Sequence, residues 1–595
     1  MKISAQWVLV LVAIVLSFNA CATTFYVDAG NLSPAAPFTN WPTASKDIQS
    51  AVDVATDGDL ILVTNGLYNT GGRVVNSSHT GGGVGYATPI TNRAAINKAV
   101  TVCSVNGPAV TVIQGYHYNF VQTNSASATN YNNDLRGVYL TNNATLDGFT
   151  VTGGGGTGSG SGVNCESTNC FLTNCVLTGN VCAGSGAAYG GAGVYQGTLN
   201  NCVISNNLVP ITQWNYAVRG GAFDSVLNNC LIISNSASFG GGAAYCLLNY
   251  CQVIGNIAPF YGSTSWGGGT YMCTANYCLI AGNLSTTSGG GDCFGILNYC
   301  ILSNNVCMLP VVGGIGIGSG GGSYQQPPNG SYIPMLNNCL VISNVVYGNG
   351  GGVYTVNNTG ILPILTNCTI VGNTATNQGG GVYGGTLKNC IIYGNYCTSV
   401  FVATSNVYNA KLTNCWTSDP LFVNPALGNY SLQSNSPCIN AGNNAYVSGT
   451  NDLDGNHRIV GGTVDIGAYE YQTPASLLSY AWAQQYGLPT DGTADTIDSD
   501  GDGMNNWQEW IAGTIPTNAA SVLQLSSPSN SLSGMKVTWQ SVSGVSYYLQ
   551  RSTNLAVQPP FSSIVSNLTG HAVSTSYTDT STTNGGPYFY RVGVQ

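Results

Sequence analysis

The residues best suited to chemistry lie in one run of twelve, Asp498-Ser499-Asp500-Gly501-Asp502-Gly503-Met504-Asn505-Asn506-Trp507-Gln508-Glu509. Acids stand at its first, third and fifth places and glycine at the sixth. A backbone carbonyl (Met504) falls at the seventh, an amide (Asn506) at the ninth and glutamate at the twelfth. This is the oxygen-ligand spacing of a Ca2+ loop. Four carboxylates in so short a span repel one another unless a cation joins them. The sequence therefore predicts Ca2+ held by Asp498, Asp500, Asp502, the Met504 carbonyl and Glu509, with a water near Asn506. A helix over 505–512 must hold Glu509, and an earlier one over 475–486 ends at Gly487 and Pro489.

No second constellation of comparable specificity stands elsewhere. Charged residues are 6% of the chain and its net charge is −9, which does not suit nucleic acid. Between Phe149 and Pro420 the acids Glu166, Asp224, Asp292 and Asp419 face only Arg219, Lys388 and Lys411 as basic partners. Asp224 and Asp292 lie about three repeats apart, ~14 Å by strand spacing, whereas glycosidase carboxyl pairs need about 5–9.5 Å. No catalytic residue is assigned. The four histidines are scattered and no Cys-x-x-Cys occurs, so zinc is not expected.

What organises the chain is a repeat. From Cys175 to Asn395 the phrase Leu-x-(Asn or Tyr)-Cys-x-aliphatic-x-small-Asn recurs, with cysteines at 175, 202, 230, 251, 278, 300, 339, 368 and 390. Cysteine and the aliphatic two residues on give period two, a strand with one buried face. Leucine three before the cysteine is an odd offset between inward residues, so the Asn or Tyr between them lies at a corner. Glycine clusters followed by an aromatic (Tyr245, Tyr271, Tyr354, Tyr383) mark another corner. Repeats of this length stack into a one-dimensional solenoid. The predicted class is all-β: a right-handed parallel β-helix, then a calcium-loop linker and a C-terminal β-sandwich. The tyrosines form an expected binding face, with Tyr245, Tyr271, Tyr354 and Tyr383 as its candidates.

Several stretches add resemblances. Ile48–Ala55 followed by Gly58-Asp59-Leu60-Ile61-Leu62-Val63 resembles the N-terminal cap and first strand of pectin-lyase-type β-helix proteins. The Gly-Gly clusters between Asn-ended strands are similar to repeats of polymorphic outer-membrane proteins. Asp419-Pro420-Leu421-Phe422, Ser436-Pro437-Cys438-Ile439-Asn440-Ala441-Gly442 and Val464-Asp465-Ile466-Gly467-Ala468-Tyr469-Glu470 resemble a choice-of-anchor Q domain. The acid loop is similar to those of thrombospondin type-3 and dockerin segments. Strands around Trp539, Tyr547-Tyr548 and Tyr588-Phe589-Tyr590 resemble a fibronectin type III-like sandwich.

These readings divide the chain into a secretory signal (1–22), a capped β-helix (23–415), its choice-of-anchor Q-like end (416–471), a helix with calcium loop (472–520) and a sandwich (521–595). The signal rests on Lys2, an apolar run and Ala20-Cys21-Ala22. The expected protein is exported to the bacterial surface or medium, monomeric, without a membrane span in the mature chain. It binds carbohydrate or a surface or matrix protein and is mainly non-catalytic. The alternatives are a polysaccharide lyase or glycoside hydrolase, and a purely structural stalk. Most ladder cysteines should be reduced and buried, with Cys246, Cys273 and Cys293 the better disulfide candidates.

Overall fold

The computed structural model describes residues 22–75, 90–117, 134–156, 158–182, 190–210, 219–259, 265–308, 318–325, 333–355, 363–398, 406–531, 533–582 and 586–595. The signal expected at 1–22 lies outside the described residues except for Ala22. Two compact units divide between Ala237 and Ser238.

In the first unit, Thr24–Val27, Leu60–Val63, Thr101–Ser104, Thr145–Asp147, Phe171–Thr173, Thr198–Asn200 and Val226–Asn228 pair in that order as one sheet. The pairs are parallel and in register. Two further sheets run beside it, so each turn of chain adds a strand to each. This is a parallel β-helix. The helix Ile48–Val54, capped by Asp47 accepting from Ser50 N at 2.8 Å, buries Ile48, Ala51 and Val52. Its Gln49 accepts from Ala95 N and donates to Ala95 O, tying the helix to the strand Ile90–Ile96.

The second unit repeats the plan. Leu247–Asn249, Thr274–Asn276, Ile296–Asn298, Met335–Asn337, Ile364–Thr366, Thr386–Lys388 and Lys411–Thr413 form one parallel sheet, with two more sheets and a shorter fourth alongside.

The repeat phrase explains the coil. The residues two after and three before the ladder cysteines are fully buried, for example Ile280 and Leu248. The Asn or Tyr between them is left-handed at every repeat, from Asn174 (φ 50°) through Tyr277 (φ 55°) to Asn389 (φ 51°), which reverses facing and permits the odd offset. The small residue four after the cysteine is a further left-handed corner that sequence reading did not assign: Gly282, Asn304 and Ser343 have φ of 61°, 53° and 54°. Within the glycine clusters only the first residue needs positive φ. The third lies against the ladder asparagine: a Cβ on Gly291 would sit 2.8 Å from Asn305 Nδ2 and 2.7 Å from Gly322 O.

All twenty cysteines among the described residues carry free thiols, Cys246, Cys273 and Cys293 included. Along the ladder the sulfurs donate to carbonyls, and those of Cys202, Cys230, Cys278 and Cys390 also accept the N–H of the preceding ladder cysteine. Cys251 N donates to Cys278 Sγ at 3.3 Å, and Cys278 Sγ donates to Leu248 O at 3.6 Å. Cys415 extends the ladder, accepting from Cys390 N at 3.4 Å. Hydrogen bonds with neighbouring ladder thiols, and burial, push the Cys202 and Cys278 thiols far above the usual value.

After the last coil the chain turns back over it. Asn389 donates to Asn443 O and accepts from Asn443 N, Thr369 Oγ1 accepts from Ala468 N, and Tyr299 OH donates to Ser448 O. This segment is held by buried charge. Asp452 accepts from Asp454, Asn456 and Glu470 backbone N–H groups, while Arg458 donates to Asp465 O and Gly467 O and lies 3.6 Å from Glu470. Asp452 and Arg458 thus pin turns.

The helix expected at 475–486 is shorter, Tyr480–Gln485, because Ser479 caps it and Ala475 to Leu478 are used in turns around the Tyr480 hydroxyl and Asp495. Beyond the acid loop, two three-stranded antiparallel sheets close the chain. They are Ser529–Ser531, Gly534–Ser541 and Val573–Asp579, and Ser562–Thr569, Ser546–Ser552 and Phe589–Val594. Trp539, Tyr547 and Leu549 are buried in this segment.

Candidate functional site

The acid loop is built by its own short-range bonds. Asp498 accepts from Gly501 N at 2.7 Å and Gly503 N at 2.9 Å, Asp500 from Asp502 N at 3.2 Å, and Asp502 from Met504 N at 2.8 Å. Each aspartate spends oxygen on a backbone donor and in doing so turns the loop inward. Carboxylate oxygens of Asp498, Asp500 and Asp502 come within 4.8 Å of one another. The helix Asn506–Ala512 carries Glu509. Its N-terminus is closed by a capping box, with Asn505 accepting from Gln508 N and Gln508 accepting from Asn505 N.

The far side of the loop is braced by residues outside the motif. Asn506 Nδ2 donates to Ala494 O at 2.9 Å, and Asn506 N to Ile497 O. Asp495 accepts from Ser476 Oγ at 2.6 Å and Leu477 N at 2.8 Å, tying the loop to the preceding turn. Sequence reading missed this role, although an acid three residues before Asp498 was its visible trace. Met504 Sδ accepts from Leu523 N at 3.4 Å and so touches the segment leading into the C-terminal sheets.

Five buried oxygens in this loop have no donor: Asp500 Oδ2, Asp502 Oδ2, Asn506 Oδ1 and both oxygens of Glu509. Buried polar atoms without partners are rare, and carboxylates are the costliest of them. Glu509 is fully buried. Burial, and then the charges of Asp500, Asp502 and Asp498, push its carboxyl up to about 7. Asp498 is pulled below the usual carboxylate value, chiefly by the Gly503 N–H. An all-oxygen set with acceptors to spare and no cationic side chain fits a hard divalent cation. Of the six residues singled out from the sequence, Asp498, Asp500 and Asp502 are brought together here, and Glu509 lies within reach of their charges.

The candidate tyrosines are divided. Tyr324, Tyr354, Tyr383 and Tyr408 stack along the coil axis, with centroids 5.4, 4.7 and 5.1 Å apart. Facing sides of neighbouring rings in this column thus cover one another. Tyr271 is buried at 8% exposure among Phe239, Trp266 and Phe294, so it is not part of an open face. Tyr245, at 36%, is exposed. A second column lies at the Asn/Tyr corner: Tyr250, Tyr277 and Tyr299 stack nearly parallel at 5.0 and 4.7 Å, with Tyr250 62% exposed.

The candidate acids of the coils are engaged separately. Asp292 is inside the β-helix, fully buried, accepting from Thr270 Oγ1 (2.8 Å), Ser323 Oγ (3.0 Å), Gln325 Nε2 (3.1 Å) and Gly295 N (3.1 Å). Burial outweighs these bonds and raises its carboxyl to about 6. Glu166 accepts from Tyr139 OH, Thr141 Oγ1 and Asn142 N. Asp224 accepts from Gln196 Nε2, and Arg219 lies over the Phe223 ring. Asp419 accepts from Leu421 N.

No protein-family model matches the chain, and no curated protein matches it. Solved structures similar to it include pectate lyase Pel9A (14% identity, 76% of this chain and 96% of that one, TM-score 0.34). The Dettilon tailspike protein is similar at 11% identity, over 67% of this chain and 69% of that one, with a TM-score of 0.30. A polygalacturonase from Erwinia carotovora is similar at 10% identity, over 67% and 96%, with a TM-score of 0.24. At these values the fold rests on the sheets themselves. Among the described residues no helix is long and apolar enough to cross a membrane.

Proposed function

We propose that this is an exported surface or extracellular β-helix protein, monomeric and mainly non-catalytic, that presents a long uncharged face to carbohydrate or to a surface or matrix protein. In this reading the segment 416–471 is a choice-of-anchor Q-like closure of the coil, and residues 521–595 are a fibronectin type III-like spacer. Ca2+ orders the linker between them. The observation that carries the proposal is the set of five donorless oxygens in the acid loop. Asp498, Asp500, Asp502, the Met504 carbonyl and Glu509 would hold the ion, with Asn506 contributing directly or through water. The ion would supply positive charge to a buried anionic cluster and so fix the approach to the C-terminal sheets through Met504 and Leu523. The absence of catalysis is supported by the separate engagement of Glu166, Asp224, Asp292 and Asp419, each already bound to its own donors.

Calorimetry on the full chain, titrated with Ca2+, tests the ion. A binding heat lost in Glu509→Ala is expected, and no heat in the parent chain refutes it. Glycan arrays and a turnover screen on pectin and alginate test the rest. Binding without turnover is expected. Turnover lost on changing Asp224 or Glu166 would establish the lyase or hydrolase reading instead. Blank arrays together with blank adhesion assays would leave a structural stalk.

A further inference from the structure

We propose that Arg136 holds a chloride-sized monovalent anion inside the first unit, at the Nε edge of its guanidinium. Arg136 opens the strand Arg136–Leu140, which pairs with Ile90–Ile96 on one side and Val163–Cys165 on the other. It stands opposite Asn92 in register and is 2% exposed. Its Nη1 donates to Asn92 Oδ1 at 3.3 Å and its Nη2 to Ser159 O at 2.8 Å. Both acceptors are neutral. The buried Nε has no acceptor, so a charged head keeps donors to spare.

The unit supplies no counter-charge. Among the described residues the ion pairs are Arg73–Asp53, Arg458–Glu470 and Arg551–Asp579, so Asp134, two residues before Arg136, does not pair with it. The parts of 1–237 outside the described residues contain no Asp or Glu. The ionisable groups whose charge would act on Arg136 are Cys182, Tyr139 and Cys165. Cys182 Sγ donates to Gly158 O at 3.3 Å and Tyr139 OH donates to Glu166, so both keep their protons. Burial raises the Cys165 thiol well above its ordinary value. Arg136 stays charged at neutral pH, since burial lowers it only to about 10. A sealed charge without a partner is among the costliest states a fold can hold.

Ser161 adds a second orphan. It is fully buried, its carbonyl accepts from Gly137 N at 3.0 Å, and its Oγ has no partner. A hydroxyl, like a guanidinium N–H, is a donor suited to an anion.

Size selects the ligand. Gly158 sets backbone rather than a side chain beside the guanidinium: a Cβ there would lie 3.4 Å from Arg136 Nη2 and 2.9 Å from Ile90 Cδ1. Room at the head is on the scale of a single atom. A halide meets that limit, whereas a sugar carboxylate or a phosphate carries several oxygens on a larger frame. A single negative charge also balances the arginine. The ion would enter as the coils close, because the folded site is sealed, and its binding favours the folded chain over the unfolded one.

Two measurements on the full chain test this. In the first, the chain is unfolded, refolded in sodium bromide and crystallised, and diffraction is collected at the bromine absorption edge. An anomalous peak within hydrogen-bond reach of Arg136 Nε is expected, with none there in crystals from sodium gluconate. No peak at Nε, or peaks on the protein surface only, overturns the proposal. In the second, urea unfolding is followed at constant ionic strength as chloride or bromide replaces gluconate. Above the Kd, each tenfold rise in halide should raise the folded-to-unfolded ratio about tenfold. A flat response overturns the proposal. The slope should vanish in Arg136→Met, whose side chain needs no counter-ion. A slope that persists in that variant places the halide elsewhere and overturns the assignment. If Arg136→Met does not fold, the bromide peak in the parent chain decides alone.

Discussion

Two buried polar groupings in the second unit are built on opposite plans. In the asparagine ladder, Asn305 donates from Nδ2 to Ile280 O at 2.8 Å and to Asn344 Oδ1 at 2.9 Å, and Asn344 Oδ1 also takes Asn305 N. The same pattern runs from Asn256 through Asn283, Asn305, Asn344 and Asn373 to Asn395, which donates in turn to Asn406. Each amide's partner is its own copy in the next coil. In the acid loop the oxygens of Asp500, Asp502, Asn506 and Glu509 point inward with no such copy. The lesson is that repetition completes a neutral amide, whereas repetition of a carboxylate would add like charge. Where no cationic side chain is built in, as Arg458 is beside Glu470, a buried acid cluster must take its counter-charge from outside the chain.

The contrast is most harshly tested at a glycine. A Cβ on Gly241 would lie 2.5 Å from Gly268 O and 2.6 Å from the Ile257 carbonyl carbon, backbone on both sides. Gly241→Ala should lose more than about 4 kcal/mol in urea unfolding, or fail to fold. A loss below about 1 kcal/mol would show that coils separate easily and that the ladder is not a tight column.

Next comes the ladder itself. Asn344→Ala leaves the Asn305 backbone N–H without its acceptor and removes one bond each from Asn305 Nδ2, which keeps Ile280 O, from Leu302 O, and from Asn373 Oδ1, which keeps Asn344 N. The orphan costs about 1–3 kcal/mol before relaxation and the lost bonds add to it, so a loss of about 3 kcal/mol is expected. The calcium heat of this variant should equal that of the parent chain. If that heat disappears, the two groupings are not independent.

Calcium should act only on the other grouping. At a hundredfold excess over Kd a bound ion adds about 2.7 kcal/mol to whatever unfolding releases it. Glu509→Gln should abolish that gain in a melt with and without chelator. Loss of a direct ligand should exceed the ~10–100-fold that removing an outer-shell partner costs.

The smallest effect sharpens the comparison inside the coil, where one carboxylate does occur. The Asp292 carboxyl is raised to about 6 from 3.8, chiefly by burial. A raised folded value means the folded chain holds the proton more tightly. Its contribution is complete below about pH 4 and falls away as pH rises through 6. Asp292→Asn should flatten that part of the stability profile between pH 4 and 8. An unchanged slope would assign it to other buried acids, of which Asp465 (about 7) and Glu470 (about 9) are also raised by burial.

Much of the coil was legible because the repeat phrase states its own geometry. Cysteine and the aliphatic two residues later face inward as period two demands, and the Asn or Tyr corner follows from the odd offset of the leucine. The small residue before each ladder asparagine was visible but unexplained, since Gly, Ser and Asn there share only a tolerance of left-handed backbone. Cys415 and Asn406 escaped the pattern because the last coil departs from the full phrase. The tyrosines showed the limit of reading exposure from type: Tyr354 stacks on its copies and Tyr271 is buried, and neighbours far along the chain decide which.

The sequence by itself determined the solenoid and the spacing of the acids in the loop, because both are local. Residues within one strand set the facing of side chains, and twelve consecutive residues carry every acid of the loop. Only the tertiary structure decided what became of isolated charges. Asp292 went into the lumen beside Thr270, Ser323 and Gln325, and Arg458 under the returning chain beside Glu470. It also left Glu509 sealed without a donor. Those outcomes depend on which coils and turns lie adjacent in space, and a charge's energy is set by that surrounding medium more than by its neighbours in sequence.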